Sequence, residues 1–141
     1  MIVRDYKPDD FSDILNIWQE TGLSSDQRGD DAEVIARTLL SGGKFLVLEA
    51  DEGVIAGTSW LTNDGRRIYL HHFSIRPDFQ GKGLSKLLLA DSVKFARNMG
   101  MQIKLEVHRR NLHAIELYKN AGFSYLGDYL IFIIRNFEDI E

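Results

Sequence analysis

The sequence predicts an α/β fold with a mixed, mostly antiparallel central sheet and helices on both faces, and three observations support this class. Segments with strand-like and helix-like apolar periodicity alternate along the chain. Turn residues at 51–53 and 63–65 join strand-like segments as hairpins, which pair antiparallel. A strand, a helix and a second strand follow one another over residues 69–108, and this order requires one parallel strand pair.

The composition is that of an ordinary globular protein. At 141 residues the chain is expected to form one domain, and 44% apolar and 27% charged residues are normal for such a domain. A net charge of -4 argues against general nucleic-acid binding. Cysteine is absent, so no thiol nucleophile or thiolate metal site is expected. No apolar run is long enough to span a bilayer and the first residues lack a signal-peptide core, so we expect a cytoplasmic location without membrane association.

The first half of the chain predicts two helices between strands. Pro8 and two acidic residues open the first helix, whose apolar side chains recur at helical spacing. A polar, turn-rich loop at residues 21–30 separates it from a second helix, which the glycine pair at 42–43 ends. The predicted strands of this half cover residues 2–6, 44–50, 54–62 and 68–75.

The second half is organised around a strand that ends before Pro77, because proline cannot donate to a β-ladder. From Leu84 the apolar residues repeat at three to four positions, which predicts a helix. Asn111 is the expected cap of a shorter helix. The predicted elements are a strand at 69–75, a helix that stops at 98–100, a strand at 102–108, a helix at 112–120, and an antiparallel strand pair at 123–126 and 129–137. The last of these strands could pair across a homodimer.

The turn between the central strand and the central helix carries a candidate anion site. Gly81 and Gly83 let backbone N–H groups approach a ligand without interference from a Cβ atom. The first N–H groups of a helix have no internal partners and the helix dipole adds partial positive charge, which favours a phosphate or pyrophosphate. The spacing matches neither a Walker loop nor the dinucleotide-binding G-x-G-x-x-G pattern, and a plain strand-to-helix turn is the alternative.

Three sequence motifs resemble those of the GNAT superfamily of N-acetyltransferases. Gln80, Gly83 and Ser85 occupy the marked positions of its acyl-CoA loop, (R/Q)-x-x-G-x-(G/A), where Ser85 replaces the usual glycine or alanine. Residues 111–123 (NLHAIELYKNAGF) resemble its N-x-x-A-x-x-L-Y-x-x-x-G-F segment at every marked position. Residues 105–107 (LEV) resemble its L-x-V strand, with the central glutamate found in many N-terminal acetyltransferases such as the ribosomal-protein alanine branch. The order of elements is similar over the whole chain.

The resemblance implies a GNAT fold, in which the two parallel strands splay apart near Ser74. It also implies that acetyl-CoA is the co-substrate. Main-chain groups of Phe73, Ser74 and Ile75 would pair with the pantetheine arm as an added strand does, and Asn111 would contact that arm. A free N–H on the splayed strand would also stabilise the oxyanion of acyl transfer. Backbone N–H groups of the loop and helix start would hold the pyrophosphate, and the residues concerned are Gln80, Gly81, Lys82, Gly83, Leu84, Ser85 and Lys86.

Acyl transfer to an amine also requires a base and an acid. Glu106 is the expected base, and burial on its strand face is expected to raise its pKa toward neutrality. His71 and His72 are the alternatives, of which at most one is expected to face the cleft because adjacent strand residues point in opposite directions. Tyr118 matches the family's general-acid tyrosine and would border the cofactor. Without the resemblance, Glu106 would be interpreted as a surface carboxylate and Tyr118 as a core tyrosine.

The acceptor is expected to be a primary amine, with a protein or peptide N-terminal amine as the leading hypothesis and a small-molecule amine close behind. Direct transfer is expected because no cysteine can carry an acyl intermediate. Trp18 and Trp60 are candidates for a pocket lining, although large aromatic side chains are mostly core. The candidate substrate contacts in the first loop are Ser24, Ser25, Asp26, Gln27 and Arg28. The rival hypotheses are an acyl-CoA-binding regulatory module without catalysis and a purely structural domain.

Overall fold

The computed structural model describes residues 1–23 and 29–140, and its described part contains one five-stranded mixed sheet. The strands are β1 (Ile2–Asp5), β2 (Lys44–Glu49), β3 (Ile55–Asn63), β4 (Arg67–Ile75) and β5 (Gln102–Leu105). The α-helices are α1 (Phe11–Glu20), α2 (Ala32–Leu40), α3 (Leu84–Met99) and α4 (Leu112–Asn120). The strands lie in chain order, and each neighbouring pair is antiparallel except β4 and β5, which are parallel across the α3 crossover. This arrangement confirms the predicted fold class.

The central strands β2 and β3 are buried on both faces, as their continuous apolar character requires. Along β2, Phe45 and Val47 pack with α1 and α2, whereas Leu46 and Leu48 pack with α3. Two separate apolar clusters result, one on each side of the sheet, and the helices cover both faces as predicted. Within the residues that the structure describes, no helix is both long and apolar enough to cross a membrane.

The parallel strands part before β4 ends. Their pairing runs from Arg67 opposite Gln102 to Leu70 opposite Leu105, and β4 then continues alone on that side to Ile75. The strand predicted over residues 102–108 is therefore shorter than expected, because β5 ends where its partner turns away. The gap leaves the backbone of residues 71–75 without a β5 neighbour.

A β-bulge on the other side of β4 accompanies the parting of the strands. Thr58 of β3 lies opposite Ser74 and Trp60 lies opposite His71, so β4 carries one extra residue. His72 has a φ of 45°, a conformation that side-chain-bearing residues adopt rarely. Its carbonyl, displaced from the regular ladder, accepts a hydrogen bond from the buried Thr58 hydroxyl at 2.7 Å. The Thr58 side chain thus stabilises the bulge that shapes the end of β4.

The bulge corrects the expectation that His71 and His72 face opposite sides of the sheet. Both rings lie beside Trp60, at centroid distances of 6.1 and 5.5 Å respectively. The extra residue and the positive φ of His72 interrupt the alternation of side chains along β4. Two consecutive side chains therefore lie on the α1 side of the sheet.

The two strands predicted for the C-terminal region are not formed. Residues 124–140 contain no strand, and the described part ends in a short 3₁₀ turn over Phe137–Asp139. The residues have strand-forming composition, but a strand is stable only when its backbone groups pair with a neighbour. No strand of the described chain lies beside them, and every residue from 124 to 140 is exposed.

A partly buried ion pair anchors β1 to the turn that precedes α1. The Arg4 guanidinium donates to both carboxylate oxygens of Asp10 at 2.9 Å, and its Nε donates to Glu49 on β2. The backbone N–H of Lys7 also donates to Asp10, at 2.7 Å. The hydrogen bond from Arg4 is the main reason that the pKa of Asp10 is lowered from its ordinary value of 3.8.

We expect Asp10→Asn to lower the free energy of unfolding by about 2 to 3 kcal/mol at pH 7, between the values typical of exposed and buried ion pairs. Because the folded state lowers the pKa of Asp10, this stabilisation is present above pH 3.8 and is lost as the pH falls through the lowered value. Urea unfolding at neutral and acidic pH should therefore show that the difference in free energy of unfolding between the wild type and Asp10→Asn decreases as the pH falls.

Asp78→Asn is the matched control for this prediction. Asp78 also pairs with an arginine, Arg76, at 3.2 Å, but its side chain is 61% exposed. Its replacement should change stability by about 0 to 1 kcal/mol. An equal effect of the two variants at pH 7 would contradict the role given to Asp10.

Candidate active site

The turn between β4 and α3 presents open backbone. A 3₁₀ turn at Pro77–Phe79 leads into Gly81 and Gly83, whose φ angles are 77° and 76°. These left-handed conformations favour glycine, and a Cβ atom built on either residue would meet nothing within 4 Å. Gly83 is the N-cap of α3 and provides no side chain to bond the first N–H groups. The helix start therefore offers an accessible, partly positive site for an anion.

The side chains of this turn fix its position relative to β4. Gln80 Nε2 donates to the Ile75 carbonyl at 2.9 Å, so the Gln80 side chain closes the turn. Lys82 Nζ lies 5.3 Å from the centre of the Phe79 ring. Lys86 on the first turn of α3 is exposed, and Ser85 is half-buried. The turn thus carries two accessible ammonium groups near its free N–H groups.

A cleft brings together several residues that the sequence assigns to a cofactor. It has a volume of about 280 Å³ and lies between the end of α1, the end of β4 and the start of α4. Its lining residues are Glu20, Thr21, Leu23, Phe73, Ser74, Pro77, Gln80 and Asn111. Asn111 caps α4 as predicted, since its side-chain oxygen accepts from the Ala114 N–H at 3.2 Å. A larger cleft of about 390 Å³, between α1 and the β2–β3 turn, holds none of the predicted site residues.

Tyr118 lies beside this cleft on α4. Its ring contacts Phe73 edge-on at a centroid distance of 6.0 Å and Phe123 at 5.8 Å. Tyr118 is buried, and burial raises its pKa to about 12. The hydroxyl is therefore protonated at neutral pH and can donate a proton or a hydrogen bond.

Glu106 follows the last residue of β5, at the point where the two parallel strands part. The expectation that it is buried is wrong: Glu106 is exposed, because β5 is the edge of the sheet and ends at Leu105. Its Oε1 accepts a hydrogen bond from the Tyr69 hydroxyl on β4. Burial and, second, this hydrogen bond raise the pKa of Tyr69, so the phenol stays protonated and holds the carboxylate in place.

The two histidines have different surroundings on the same face. His71 Nε2 is hydrogen-bonded to the Thr62 hydroxyl at 2.8 Å, and its pKa is lowered to about 4, mainly by burial and then by the charge of His72. His72 has a side chain that is 6% exposed, with Nε2 3.2 Å from a carboxylate oxygen of Asp30. A neutral His71 at pH 7 is a weak base, whereas His72 is held by an acidic partner.

The aromatic residues considered for a pocket lining are core residues. Trp18 and Trp60 are both buried and stack on each other at 5.9 Å with nearly parallel planes. The His72 ring lies 4.3 Å from Trp18, so this stack also supports the bulged end of β4. The five loop residues considered as substrate contacts, 24–28, lie outside the described residues.

Three residues that position the site were not singled out from the sequence. Thr58 holds the bulge, Tyr69 holds Glu106, and Asp30 pairs with His72. Thr58 could have been identified from the sequence, because its hydroxyl lies within the apolar run of β3 and a buried polar side chain is normally hydrogen-bonded. The partners of Tyr69 and Asp30 are distant in sequence, and no local pattern identifies them.

These features define an α/β protein with a gap between two parallel strands beside an open glycine turn. A sequence profile of the acetyltransferase (GNAT) family matches residues 11–123, which include the β4–α3 turn and α4. The chain therefore belongs to the GNAT family of acetyltransferases and is an acyltransferase enzyme. The family membership confirms the resemblance seen in the sequence motifs.

Individual relatives agree with this assignment. The chain is 24% identical over 142 residues to an acetyltransferase of Sodalis glossinidius, a match that spans 100% of this chain and 99% of that protein. The ribosomal-protein-S18-alanine N-acetyltransferase of Escherichia coli has the same fold, with a TM-score of 0.74 and 21% identity over 87% of this chain and 77% of that chain. AAC(6′)-Iy, in complex with a CoA bisubstrate analogue, has a TM-score of 0.76 and 17% identity over 96% of this chain and 98% of that chain.

Proposed function

We propose that residues 1–141 form a single N-acetyltransferase domain that transfers an acetyl group from acetyl-CoA directly to a primary amine. The observation that carries the proposal is the gap between β4 and β5 beside an open glycine turn, in a member of an acetyltransferase family. The family uses acetyl-CoA, and a solved neighbour is bound to a CoA analogue. The chain contains no cysteine, which favours direct transfer over an acyl-enzyme.

The described residues fit the chemical parts of acetyl-CoA. The open N–H groups from Gly81 to Lys86 would hold the pyrophosphate, and Lys82 and Lys86 add positive charge. The backbone of residues 73–75 lies next to the gap left by β5, where an extended pantetheine arm can pair as an added strand. Asn111 borders the same cleft, although its side-chain oxygen already caps α4. When bound, acetyl-CoA supplies the thioester whose acyl group is transferred.

Two side chains at the edges of the gap can move the protons that the reaction requires. The amine nitrogen forms a bond to the thioester carbonyl carbon, the bond from that carbon to sulfur breaks, and Glu106 accepts the proton that the amine loses. Tyr118, protonated because burial raises its pKa, donates a proton to the departing sulfur. Tyr69 keeps the Glu106 carboxylate at the point where the strands part.

A protein or peptide N-terminal amine is the acceptor that suits this base best. Deprotonation at pH 7 costs about 1 kcal/mol for an α-amine with a pKa near 8, but about 4.6 kcal/mol for a lysine side chain. An α-amine therefore requires less of Glu106, which is an exposed carboxylate. The structural similarity to a ribosomal-protein alanine N-acetyltransferase supports the same acceptor class.

A small-molecule amine is the second candidate acceptor. The observation that favours it is the TM-score of 0.76 to AAC(6′)-Iy, whose bound bisubstrate analogue is CoA-S-monomethyl-acetylneamine. Binding without catalysis is the remaining alternative, and Ser85, in place of the usual glycine or alanine, is the residue that favours it.

A thiol-release assay tests the proposed function. The protein and acetyl-CoA are incubated with a panel of peptides that differ in their first residue and with a panel of small amines, and free CoA is measured. We expect release that depends on a peptide with a free α-amine and is absent for the same peptide with a blocked N-terminus. Release of CoA only with small amines would show that the acceptor is a small molecule and not a peptide. Binding of acetyl-CoA without release of CoA for any amine would overturn the proposed acetyl transfer.

A further inference from the structure

The buried hydroxyl of Thr58 on β3 has three hydrogen-bond partners. Its oxygen lies 2.7 Å from the His72 carbonyl oxygen, 3.1 Å from Trp18 Nε1 and 2.9 Å from Ser74 Oγ. Thr58 is fully buried, and Ser74 is 7% exposed. Most buried polar side-chain atoms have at least one partner, and the three partners of Thr58 together fix the orientation of its hydroxyl.

The direction of each hydrogen bond in this network follows from the chemistry of its groups. A hydroxyl has one hydrogen to donate and two lone pairs that accept. The His72 carbonyl can only accept, so Thr58 donates its hydrogen there. The Trp18 N–H can only donate, so Thr58 accepts from it. The third bond must then be donated by Ser74, and the single hydrogen of Thr58 is committed to the His72 carbonyl.

The backbone groups at the end of β4 alternate between β3 and the gap left by β5. The Arg76 N–H donates to the Ala56 carbonyl on β3 at 2.7 Å. Because backbone groups alternate sides along an antiparallel strand, those of Ser74 also face β3, whereas those of Phe73 and Ile75 face away from it. β5 no longer pairs with β4 on that side. The Phe73 N–H therefore points into the gap.

The Phe73 N–H and the His72 carbonyl belong to one peptide group. In a trans peptide group these two bonds point in opposite directions within one rigid plane. The regular register is interrupted here, because the bulge lies beside this group and His72 has a φ of 45°. The hydrogen bond from Thr58 holds the carbonyl on the β3 side, so it also holds the N–H of Phe73 toward the gap.

We infer that Thr58 is a positioning residue for acyl transfer, because its hydroxyl directs the Phe73 N–H at the thioester carbonyl oxygen. This inference rests on the proposed function. As the amine nitrogen bonds to the carbonyl carbon, the carbonyl oxygen takes up negative charge, which it returns when the bond from carbon to sulfur breaks. An N–H that already points at this oxygen stabilises the charge without having to reorient during the reaction.

Ser59 provides a matched control for a purely structural role of Thr58. It is the next residue of β3 and is also fully buried, with its hydroxyl 2.7 Å from that of Ser92 on α3. Its side chain therefore lies on the α3 side of the sheet, opposite the α1 side where Thr58 meets Trp18. In Ser59→Ala the Ser92 hydroxyl keeps its acceptor, the Leu88 carbonyl. This variant should lower stability but leave kcat unchanged.

Thr58→Val keeps the shape of the side chain and removes its hydroxyl. We expect kcat for acetyl transfer to fall about 100-fold, because loss or misplacement of an oxyanion donor typically costs at least this much. The affinity for CoA and the KM for the amine should change little, since the Phe73 N–H acts on the charge that develops during transfer. Thr58→Ser keeps the hydroxyl and should retain kcat. Thr58→Cys has a weaker donor and should give an intermediate kcat.

The backbone amide of Phe73 gives a second readout that requires no turnover. In isotope-labelled protein without an amine acceptor, acetyl-CoA should move the Phe73 amide proton further downfield than CoA does, because only acetyl-CoA carries the thioester carbonyl. This difference should persist in Thr58→Ser and Ser59→Ala. It should be lost in Thr58→Val, while the shifts that CoA causes at residues 80–86 remain.

Full kcat in folded Thr58→Val would overturn the inference, as would a wild-type Phe73 amide that responds equally to acetyl-CoA and CoA. An equal loss of kcat in Ser59→Ala would also overturn it, since the effect would then follow from lower stability. If Thr58→Val does not fold, wild-type kcat in Thr58→Cys would contradict the inference. Absence of CoA release with every amine would instead be a failure of the proposed function, and the Phe73 measurement, made without an amine, separates the two.

Discussion

Tyr118→Phe is expected to lower kcat for acetyl transfer by about 10²- to 10⁴-fold, the usual contribution of a positioned acid, while affinity for acetyl-CoA changes little. The substitution removes only the hydroxyl and keeps the ring that packs against Phe73 and Phe123. Because burial raises the pKa of Tyr118 to about 12, the wild-type hydroxyl carries its proton throughout the neutral range. Steady-state thiol release gives kcat, and calorimetric titration with CoA gives the affinity.

Tyr6→Phe is the control for this variant. Tyr6 is a half-buried tyrosine that lies in the other apolar cluster, with its ring 5.1 Å from Phe45. Loss of the Tyr6 hydroxyl should leave both kcat and CoA affinity unchanged. Retention of full activity in Tyr118→Phe would exclude Tyr118 as the acid, and a parallel loss of CoA affinity would indicate a role in binding instead.

Glu106→Gln is expected to lower kcat/KM for a peptide amine by about 100-fold or more, since general-base catalysis typically contributes 10²- to 10⁴-fold. The variant keeps a group that can accept a hydrogen bond from Tyr69, so folding and CoA binding should persist. Steady-state thiol release with a peptide acceptor gives kcat/KM for the wild type and the variant.

His72→Asn is the comparison that separates the two candidate bases. His72 packs 4.3 Å from Trp18 and pairs with Asp30, so its loss should lower the free energy of unfolding. We expect kcat/KM, measured on the folded fraction, to change only a few-fold. A loss of 100-fold in His72→Asn with little effect of Glu106→Gln would make His72 the base. His71 is a weaker candidate because its pKa is lowered to about 4.

Local patterns were sufficient to predict the elements whose stability is mainly local. The apolar period of α3, the proline after β4 and the cap at Asn111 each gave the right element at nearly the right place. The parting of β4 and β5 was expected only through the family resemblance, and the pairing pattern confirms it. Of the residues that the sequence motifs assign to the cofactor, Phe73, Ser74, Gln80 and Asn111 line one cleft, and their role in binding stays a prediction.

The features that the sequence did not predict depend on contacts between distant residues. The bulge at His72 is fixed by Thr58 on a neighbouring strand, and alternation within β4 cannot reveal an inserted residue. The expectation that Glu106 is buried was wrong, because alternation identifies the face of a strand but not whether another layer covers that face. The prediction of two C-terminal strands was wrong for a similar reason. Residues 129–134 have strand-forming composition, but a strand forms only when a neighbouring strand pairs with it.

The most direct measurement is a titration of the isotope-labelled protein with CoA, followed by the NMR shifts of backbone amides. We expect saturable shifts concentrated at residues 80–86 and 73–75, because a pyrophosphate held by the α3 N-terminus and an arm paired with β4 touch those N–H groups first. The amides of β1, at the opposite edge of the sheet, should not move. Saturable shifts that leave both segments unchanged, or no shifts at any concentration up to millimolar, would contradict a coenzyme A site where the two strands part.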